Sequence, residues 1–285
     1  MGKIKAYMYM NPSAIALERE ISQERIIDGL VIADPSLIPA VEGQIEQARV
    51  NGIEIDYLPN LVEAYLQRIP LEIIDKFKNH YEIAFKNPDN SQAKRIFDIF
   101  IASFGLIITA PISFLLAIAI PIESGFPILF KQKRIGYKMQ PFKFIKFRSL
   151  KEVEKKYLDE HENPNDTIKL RNTAIGKIIR KLRIDEIPQF INVLKGTMSV
   201  IGPRPEMENY HNKCIKQIPF YHCRYNLKPG ITGWAQINFK HTSGMDDYKI
   251  KTEYDLYYIK NRNILLDLEI TMKTIETMIG MRGSK

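Results

Sequence analysis

The stretch "IFIASFGLIITAPISFLLAIAIPI", residues 99–122, limits this chain more than any other feature: no charge interrupts it between Asp98 and Glu123. A helix needs about 20 apolar residues to cross a bilayer core, so the run is long enough to enter a membrane. A buried core helix is the alternative reading. Pro111 lies in the middle of the run. A proline there removes one backbone hydrogen bond and crowds the preceding turn, which predicts that the helix breaks or bends sharply. Lys94 and Arg95 precede the run, and Lys131, Lys133 and Arg134 follow it. Basic flanks stay on the cytoplasmic side, and here both flanks are basic. Each half, about 12 residues, is roughly 18 Å of helix, about half the roughly 30 Å hydrocarbon core. The segment therefore reads as a re-entrant membrane helix over about 95–122 that enters and leaves on one face. A kinked single span is the alternative, and it would strand the N-terminal part on the other side.

Ahead of this run, strand-like and helix-like patterns alternate: "IKAYMYM" (4–10), a polar-periodic stretch (13–26), "GLVIA" (29–33), "PSLIPAVEGQIEQARVNG" (35–52) and "IEIDYL" (53–58). This order predicts a small βαβαβ unit with a parallel sheet over residues 1–60. No Gly-rich loop follows its first strand, so the pattern supports a scaffold rather than a nucleotide site. Residues 61–92 read as a helical connector ending in "KNPDNSQ" (86–92). The N-terminus has no long apolar core and reads as no signal peptide. Cys214 and Cys223 have no metal-ligand spacing and read as reduced thiols in a cytosol-facing protein.

The net charge of +8 points to anionic partners, namely nucleic acid, an anionic membrane face or phosphorylated substrates, without choosing among them. Behind the apolar run, bases alternate with aromatics: Lys143, Phe144, Lys146, Phe147, Arg148. Such a pattern suits single-stranded nucleic acid; beside a membrane segment, a phosphate-lined interfacial face suits it better. Residues 151–170 are polar and read as a loop. Then Lys169, Arg171, Lys177, Arg180, Lys181 and Arg183 lead into the acidic pair Asp185–Glu186, followed by Pro188. Ile175, Ile178, Ile179 and Leu182 recur at helical spacing, with Arg180 and Arg183 on the other face. A second helix is predicted to start near Glu186–Pro188, because proline suits a first helical turn. Its N-terminus favours a phosphate or an ionised Asp.

"SVIGPRPEM" (199–207) brackets Arg204 with prolines, as suits a rigid fork for phosphate. "LKPGITGWAQIN" (227–238) places Trp234, the only tryptophan, in a turn, as a packed anchor or a substrate wall. Residues 263–280 set Ile264, Leu268, Met272, Ile275 and Ile279 on one stripe of an amphipathic helix. That helix packs on the core or lies in the membrane interface.

Seven ordered blocks, "KRIFDI" with the Pro-interrupted run, "FKQKRIG", "PFKFIKFRS", "RIDEIPQFINVLKG", "SVIGPRPE", "KPGITGWAQIN" and "YDLYYIKN", resemble the bacterial sugar transferases, the monotopic phosphoglycosyl transferases. The likeness covers about residues 93–285. It implies a mainly helical monotopic catalytic domain behind a truncated Rossmann-like βαβαβ unit, an α/β protein overall. The implied reaction moves a sugar 1-phosphate from a nucleotide (usually uridine) diphosphate sugar to a polyprenyl phosphate, with Mg²⁺, and initiates exopolysaccharide, capsule or O-antigen synthesis. The implied setting is the cytoplasmic face of the bacterial inner membrane, on anionic lipid, without nucleic acid; a homodimer is compatible with it. Carried over residue by residue, the resemblance puts the family's dyad on Asp185, the proposed nucleophile, and Glu186. Both are also the Mg²⁺ candidates. The bases of its phosphate site fall on Lys146, Arg180 and Arg204. The chain departs from the family at Arg183, where a small polar residue is usual, at Thr197 for an acid, at "FRSL" for "FRTM", and at Lys228 for Arg.

These assignments answer why an acidic pair closes a cationic run. Two anionic phosphorus compounds must meet, and bases with a divalent cation screen their repulsion. A carboxylate among cations stays ionised and can attack phosphorus to give an acyl phosphate. Glu186 then binds the metal or takes a proton from the second substrate. A helix-start pair that only complements the dipole is the plain alternative. An inactive membrane-attached scaffold is the alternative function.

Overall fold

The computed structural model describes residues 29–86, 92–151, 173–239 and 244–278. The chain forms two compact units, Met1–Ile83 and Ala84–Lys285.

In the first unit, β1 (Gly29–Ile32) runs parallel to β2 (Glu54–Tyr57), with Leu30 opposite Ile55 and Ile32 opposite Tyr57. Helix α1 (Ile38–Val50) makes the crossover. Ile32, Val41 and Ile45 are buried together, and Leu30, Ile38 and Ile55 pack against them. The apolar spacing of α1 meets the strand residues on one face of the sheet. Gly52 (φ +76°) reverses the chain between α1 and β2 in a backbone conformation that favours glycine. This is a βαβ motif. The strand expected at 4–10 and the helix at 13–26 lie outside the described residues, so the larger βαβαβ unit is seen in part. Helices α2 (Leu58–Leu66), α3 (Leu71–Lys76) and α4 (Lys78–Lys86) follow.

The second unit is mostly helical. It opens with α5 (Gln92–Ser124), which is long and apolar enough to cross a membrane and whose most apolar window is only 11% buried. Of the break or sharp bend expected at Pro111, the break is absent: α5 is helical throughout, with Pro111 and Pro121 inside it. A proline deletes one i→i−4 bond, but the flanking turns keep theirs, and Thr109 Oγ1 donates to the Gly105 carbonyl one turn earlier (2.6 Å). Both ends of α5 pack on the same unit. Near its start, Asp98 accepts from Ser199 Oγ (2.9 Å) and the Val200 N–H (3.0 Å), and Arg95 donates to the Val193 carbonyl (2.7 Å). Near its end, Leu116 and Ile120 bury against Phe147 and Ile179. Arg148 donates to the carbonyls of Ser124 (2.7 Å) and Phe126 (2.9 Å), capping the helix. The opposite face is apolar and exposed, with Ile96, Phe100, Ile107, Phe114, Ile118 and Ile122 at helical spacing.

Strands β3 (Leu129–Ile135) and β4 (Pro141–Phe147) form an antiparallel hairpin. The alternating bases and aromatics belong to it. Phe144 and Phe147 are buried, so they offer no stacking platform to a base. Beyond them come α6 (Ala174–Lys181), α7 (Gln189–Leu194), the parallel pair β5 (Ser199–Ile201) and β6 (Gly230–Thr232), α8 (Glu208–Gln217), α9 (Trp234–Asn238), α10 (Met245–Asn261) and α11 (Ile264–Met278). Of the α6 stripe, Ile179 is buried, whereas Ile178 and Leu182 are exposed. On α11 the predicted stripe faces outward: Ile264, Leu268, Met272 and Ile275 are exposed, and Asp267 and Ile270 face the interior. Ile279 lies outside the described residues. Trp234 is a packed anchor, fully buried and stacked on Tyr257 (centroids 5.8 Å apart). Cys214 and Cys223 are buried and unbridged.

Candidate active site

Each wall of the site is set by a short, strongly specified element. Strand β4 carries Lys146 opposite Phe130, whose ring its ammonium covers at 5.5 Å. Helix α6 carries Arg180. The Thr173 side chain caps it by accepting from the Gly176 N–H (2.7 Å), and Glu123, from the end of α5, accepts from the Ala174 N–H (2.5 Å). Arg183, in the left-handed conformation (φ 59°), turns the chain out of α6 and into a single 3₁₀ turn, Ile184–Glu186. Pro188 then caps α7. The predicted second helix thus starts at Gln189, and the dyad sits in the tight turn between two helices.

The facing wall is the loop after β5. The "SVIGPRP" and "KPGITGW" blocks fold directly onto one another, so closely that a Cβ on Gly230 would lie 2.1 Å from the Gly202 nitrogen. Only glycine allows that approach. It fixes the root of the loop holding Arg204. Arg204 Nη2 donates to Glu186 Oε1 at 3.0 Å, and Arg183 Nη1 lies 3.5 Å from the same oxygen. The structure therefore brings Asp185, Glu186, Lys146, Arg180 and Arg204 into one electrostatic cluster. Lys169 and Arg171 fall outside the described residues, and Pro111 lies within α5.

The two acids differ. Glu186 is desolvated, yet Arg204 and Arg183 outweigh that and hold its carboxyl below the ordinary value. Asp185 is 7% exposed and accepts no hydrogen bond from any described residue. Burial, then the neighbouring Glu186 charge, pushes it above the ordinary carboxylate value, against Lys146 and Arg180. The bases act on Asp185 in the direction the sequence argument gave them, and desolvation exceeds their attraction. Burial also lowers Lys146, although Asp185 opposes this. An under-solvated, unbonded carboxyl beside a fixed cationic wall can receive an electrophile that brings its own negative charge.

Sequence reasoning missed a layer behind this wall. Arg134, read only as a membrane flank, reaches the site's field, where it interacts with Glu206, Arg204 and Glu186. Arg224, Lys251, Glu206 and Asp255 are buried next to it. Three of these five stand in recognisable blocks ("FKQKRIG", "PRPE", "YDLYYIKN"), but nothing in a sequence marks a charge as buried. Among the described residues no group of three or more His, Cys, Asp or Glu side chains comes together. Among the described residues, Asp185 and Glu186 are the pair that would hold a magnesium ion. The donor chemistry fits: Mg²⁺ takes one or two carboxylates and completes its shell with water and substrate phosphate. Asp185 and the second Glu186 oxygen are free of the Arg204 contact.

Comparison with known proteins gives the family. Residues 89–281 match the family described as "Bacterial sugar transferase". The chain is 35% identical over 254 residues to the UDP-N-acetylgalactosamine-undecaprenyl-phosphate N-acetylgalactosaminephosphotransferase of Aeromonas hydrophila, covering 89% of this chain and 59% of that protein. It is 37% identical over 188 residues to the UDP-glucose:undecaprenyl-phosphate glucose-1-phosphate transferase of Escherichia coli, covering 65% of this chain and 40% of that one. Exopolysaccharide production protein ExoY of Rhizobium meliloti is 34% identical over 211 residues, 69% of this chain and 90% of ExoY. The chain thus spans about half the length of the first two relatives and most of the third.

Proposed function

This chain belongs to the bacterial sugar transferase family, and from that premise we propose that it transfers a sugar 1-phosphate from a uridine diphosphate sugar to a polyprenyl phosphate. The relatives' names point to undecaprenyl phosphate as acceptor, and to exopolysaccharide or a related glycan as the path served. The observation that carries the reading is the contrast within the dyad: Asp185 has an unbonded carboxyl, while Glu186 is clamped by Arg204. Asp185 attacks the phosphorus that bears the sugar, the bond to the bridging oxygen breaks, and uridine monophosphate leaves with that electron pair. The sugar phosphate remains on Asp185 as an acyl phosphate. An oxygen of the polyprenyl phosphate then attacks the same phosphorus, and the carboxylate leaves. Lys146, Arg180 and Arg204 hold and neutralise the phosphate oxygens in both halves. Glu186 fixes Arg204 and orients it. Mg²⁺ bound at the dyad would screen charge between the two phosphates.

The reading places the protein on the cytoplasmic face of the inner membrane, with α5 bent sharply at Pro111 so that it dips in and returns. Its support is packing: Asp98 and Glu123, near opposite ends of α5, are both fixed to the catalytic unit, and the outward face is apolar. Cysteines introduced at the exposed Gln92 and Lys151 should both be labelled only from the cytoplasmic side. Labelling of one from outside would make α5 a true span. The activity itself is tested by offering the membrane-bound protein a panel of uridine diphosphate sugars with undecaprenyl phosphate and Mg²⁺. One sugar should yield a lipid diphosphate sugar and uridine monophosphate in equal amounts. Absence of product across the panel would favour a scaffold.

A further inference from the structure

The loop that presents Arg204 has all four of its successive carbonyls engaged. The Gly230 N–H donates to the Pro203 carbonyl (3.0 Å), Arg224 Nη2 to that of Arg204 (3.1 Å), Arg134 Nη1 to that of Pro205 (3.0 Å), and the Ile135 N–H to that of Glu206 (3.0 Å). Pro203 and Pro205 have fixed φ and no N–H. The segment is therefore determined by what grips its oxygens, and two of the four grips are arginine side chains.

Arg224 is the more deeply set of the two, 3% exposed. Its Nε donates to Asp255 Oδ2 (2.7 Å) and its Nη1 to the Tyr221 hydroxyl (2.8 Å), so each of its three nitrogens donates a hydrogen bond. Lys251 pairs with Glu206, which lies 3.9 Å from Arg224. Burying such a cluster is a poor route to stability, because desolvation offsets most of the attraction and apolar residues of similar volume usually do as well. What an apolar replacement could not do is hold the Arg204 carbonyl at a set distance from α10, which bears Asp255.

We propose that Arg224, anchored by Asp255, is a positioning residue: it holds the backbone of Arg204 so that the Arg204 guanidinium meets Glu186 and the substrate phosphate in one orientation. The proposal rests on Arg204 as a phosphate ligand. Arg224→Lys keeps the charge opposite Asp255 but loses the fork that reaches two acceptors at fixed spacing. It should lower kcat/KM about tenfold or more, the worth of one charge-assisted hydrogen bond, with an unchanged circular dichroism spectrum. The deciding readout is a double-mutant cycle with Arg204→Lys. If Arg224 acts through Arg204, the double variant loses little more than Arg204→Lys alone. Additive losses, or normal turnover in Arg224→Lys, would overturn the proposal. Should Arg224→Lys fail to fold, Asp255→Asn enters the same cycle; it leaves an oxygen acceptor for Arg224, and additivity there has the same meaning. If the wild-type protein turns over no nucleotide sugar, the cycle is read on calorimetric binding of magnesium pyrophosphate. Coupling would then survive although the proposed reaction had failed, whereas lack of pyrophosphate binding by the wild type would remove Arg204 as a phosphate ligand and the proposal with it.

Discussion

The two units bury charge very differently. In the first, among the described residues, Glu63 is the buried ionisable acid or base, and the Tyr81 hydroxyl donates to it at 2.8 Å. In the second, Asp98, Arg148, Asp185, Glu206, Arg224, Lys251, Asp255 and Asp267 are all buried. Most of them tie one element to another: Asp98 joins α5 to β5, Arg148 caps α5, and Arg224 joins α10 to the Arg204 loop. Asp185 is the exception, buried and accepting no hydrogen bond among the described residues. The described core of the first unit rests on apolar contacts such as Ile32, Val41 and Ile45. The second unit uses buried charge to tie its elements together around Asp185, the proposed nucleophile.

The largest expected effect comes from that exception. Asp185→Asn should lower turnover by about four orders of magnitude or more, as loss of a nucleophile does elsewhere. The same change should stabilise the fold. The native pKa of Asp185 is raised, so the native state holds its proton more tightly than the unfolded chain; its contribution to stability is lost as pH rises from the ordinary carboxylate value through the raised native one. The variant's gain should therefore be larger at pH 8 than at pH 4, about 2–4 °C in melting temperature if it amounts to roughly 1 kcal/mol. A loss of stability at pH 8 would mean that Asp185 is paired after all.

Next in size is Arg204→Lys. The charge stays but the planar fork is lost, and turnover should drop about 100-fold or more. Near-normal activity would reduce Arg204 to general charge. Glu63→Gln, in the first unit, should leave turnover unchanged within about twofold while costing about 1 kcal/mol in denaturant melts; a large loss of activity would break the contrast between scaffold and site. The smallest effect is expected at Arg183. It helps hold Glu186 low from an exposed position. Arg183→Ser should change turnover only a few-fold, and less at high salt, where exposed pairs are screened.

The positions of the main elements and site residues were legible in the sequence, whereas the burial of charge was not. Long apolar runs, Pro-bracketed loops and ordered motif blocks are local patterns, and they located α5, the dyad and Arg204. At Pro111 the sequence allowed a break or a sharp bend; a break is absent, because one lost hydrogen bond does not end a 33-residue helix whose other turns hold. The outward stripe of α11 was found, but its periodicity could not say which face met the core. Asp185's field was read from neighbouring charges alone; desolvation, which reverses the sign, depends on packing that no spacing records. Arg224 was missed for the same reason.

The central claim is that Asp185 is a nucleophile, and its most direct test is lipid dependence. The protein is mixed with its preferred uridine diphosphate sugar and Mg²⁺ in the absence of polyprenyl phosphate, then quenched and weighed by mass spectrometry. A two-step mechanism predicts a burst of about one equivalent of uridine monophosphate per protein. It also predicts a sugar phosphate adduct on the peptide containing Asp185, with both signals absent in Asp185→Asn. If no nucleotide forms until the lipid acceptor is added, and no adduct mass appears, transfer is direct and Asp185 serves as a metal ligand instead.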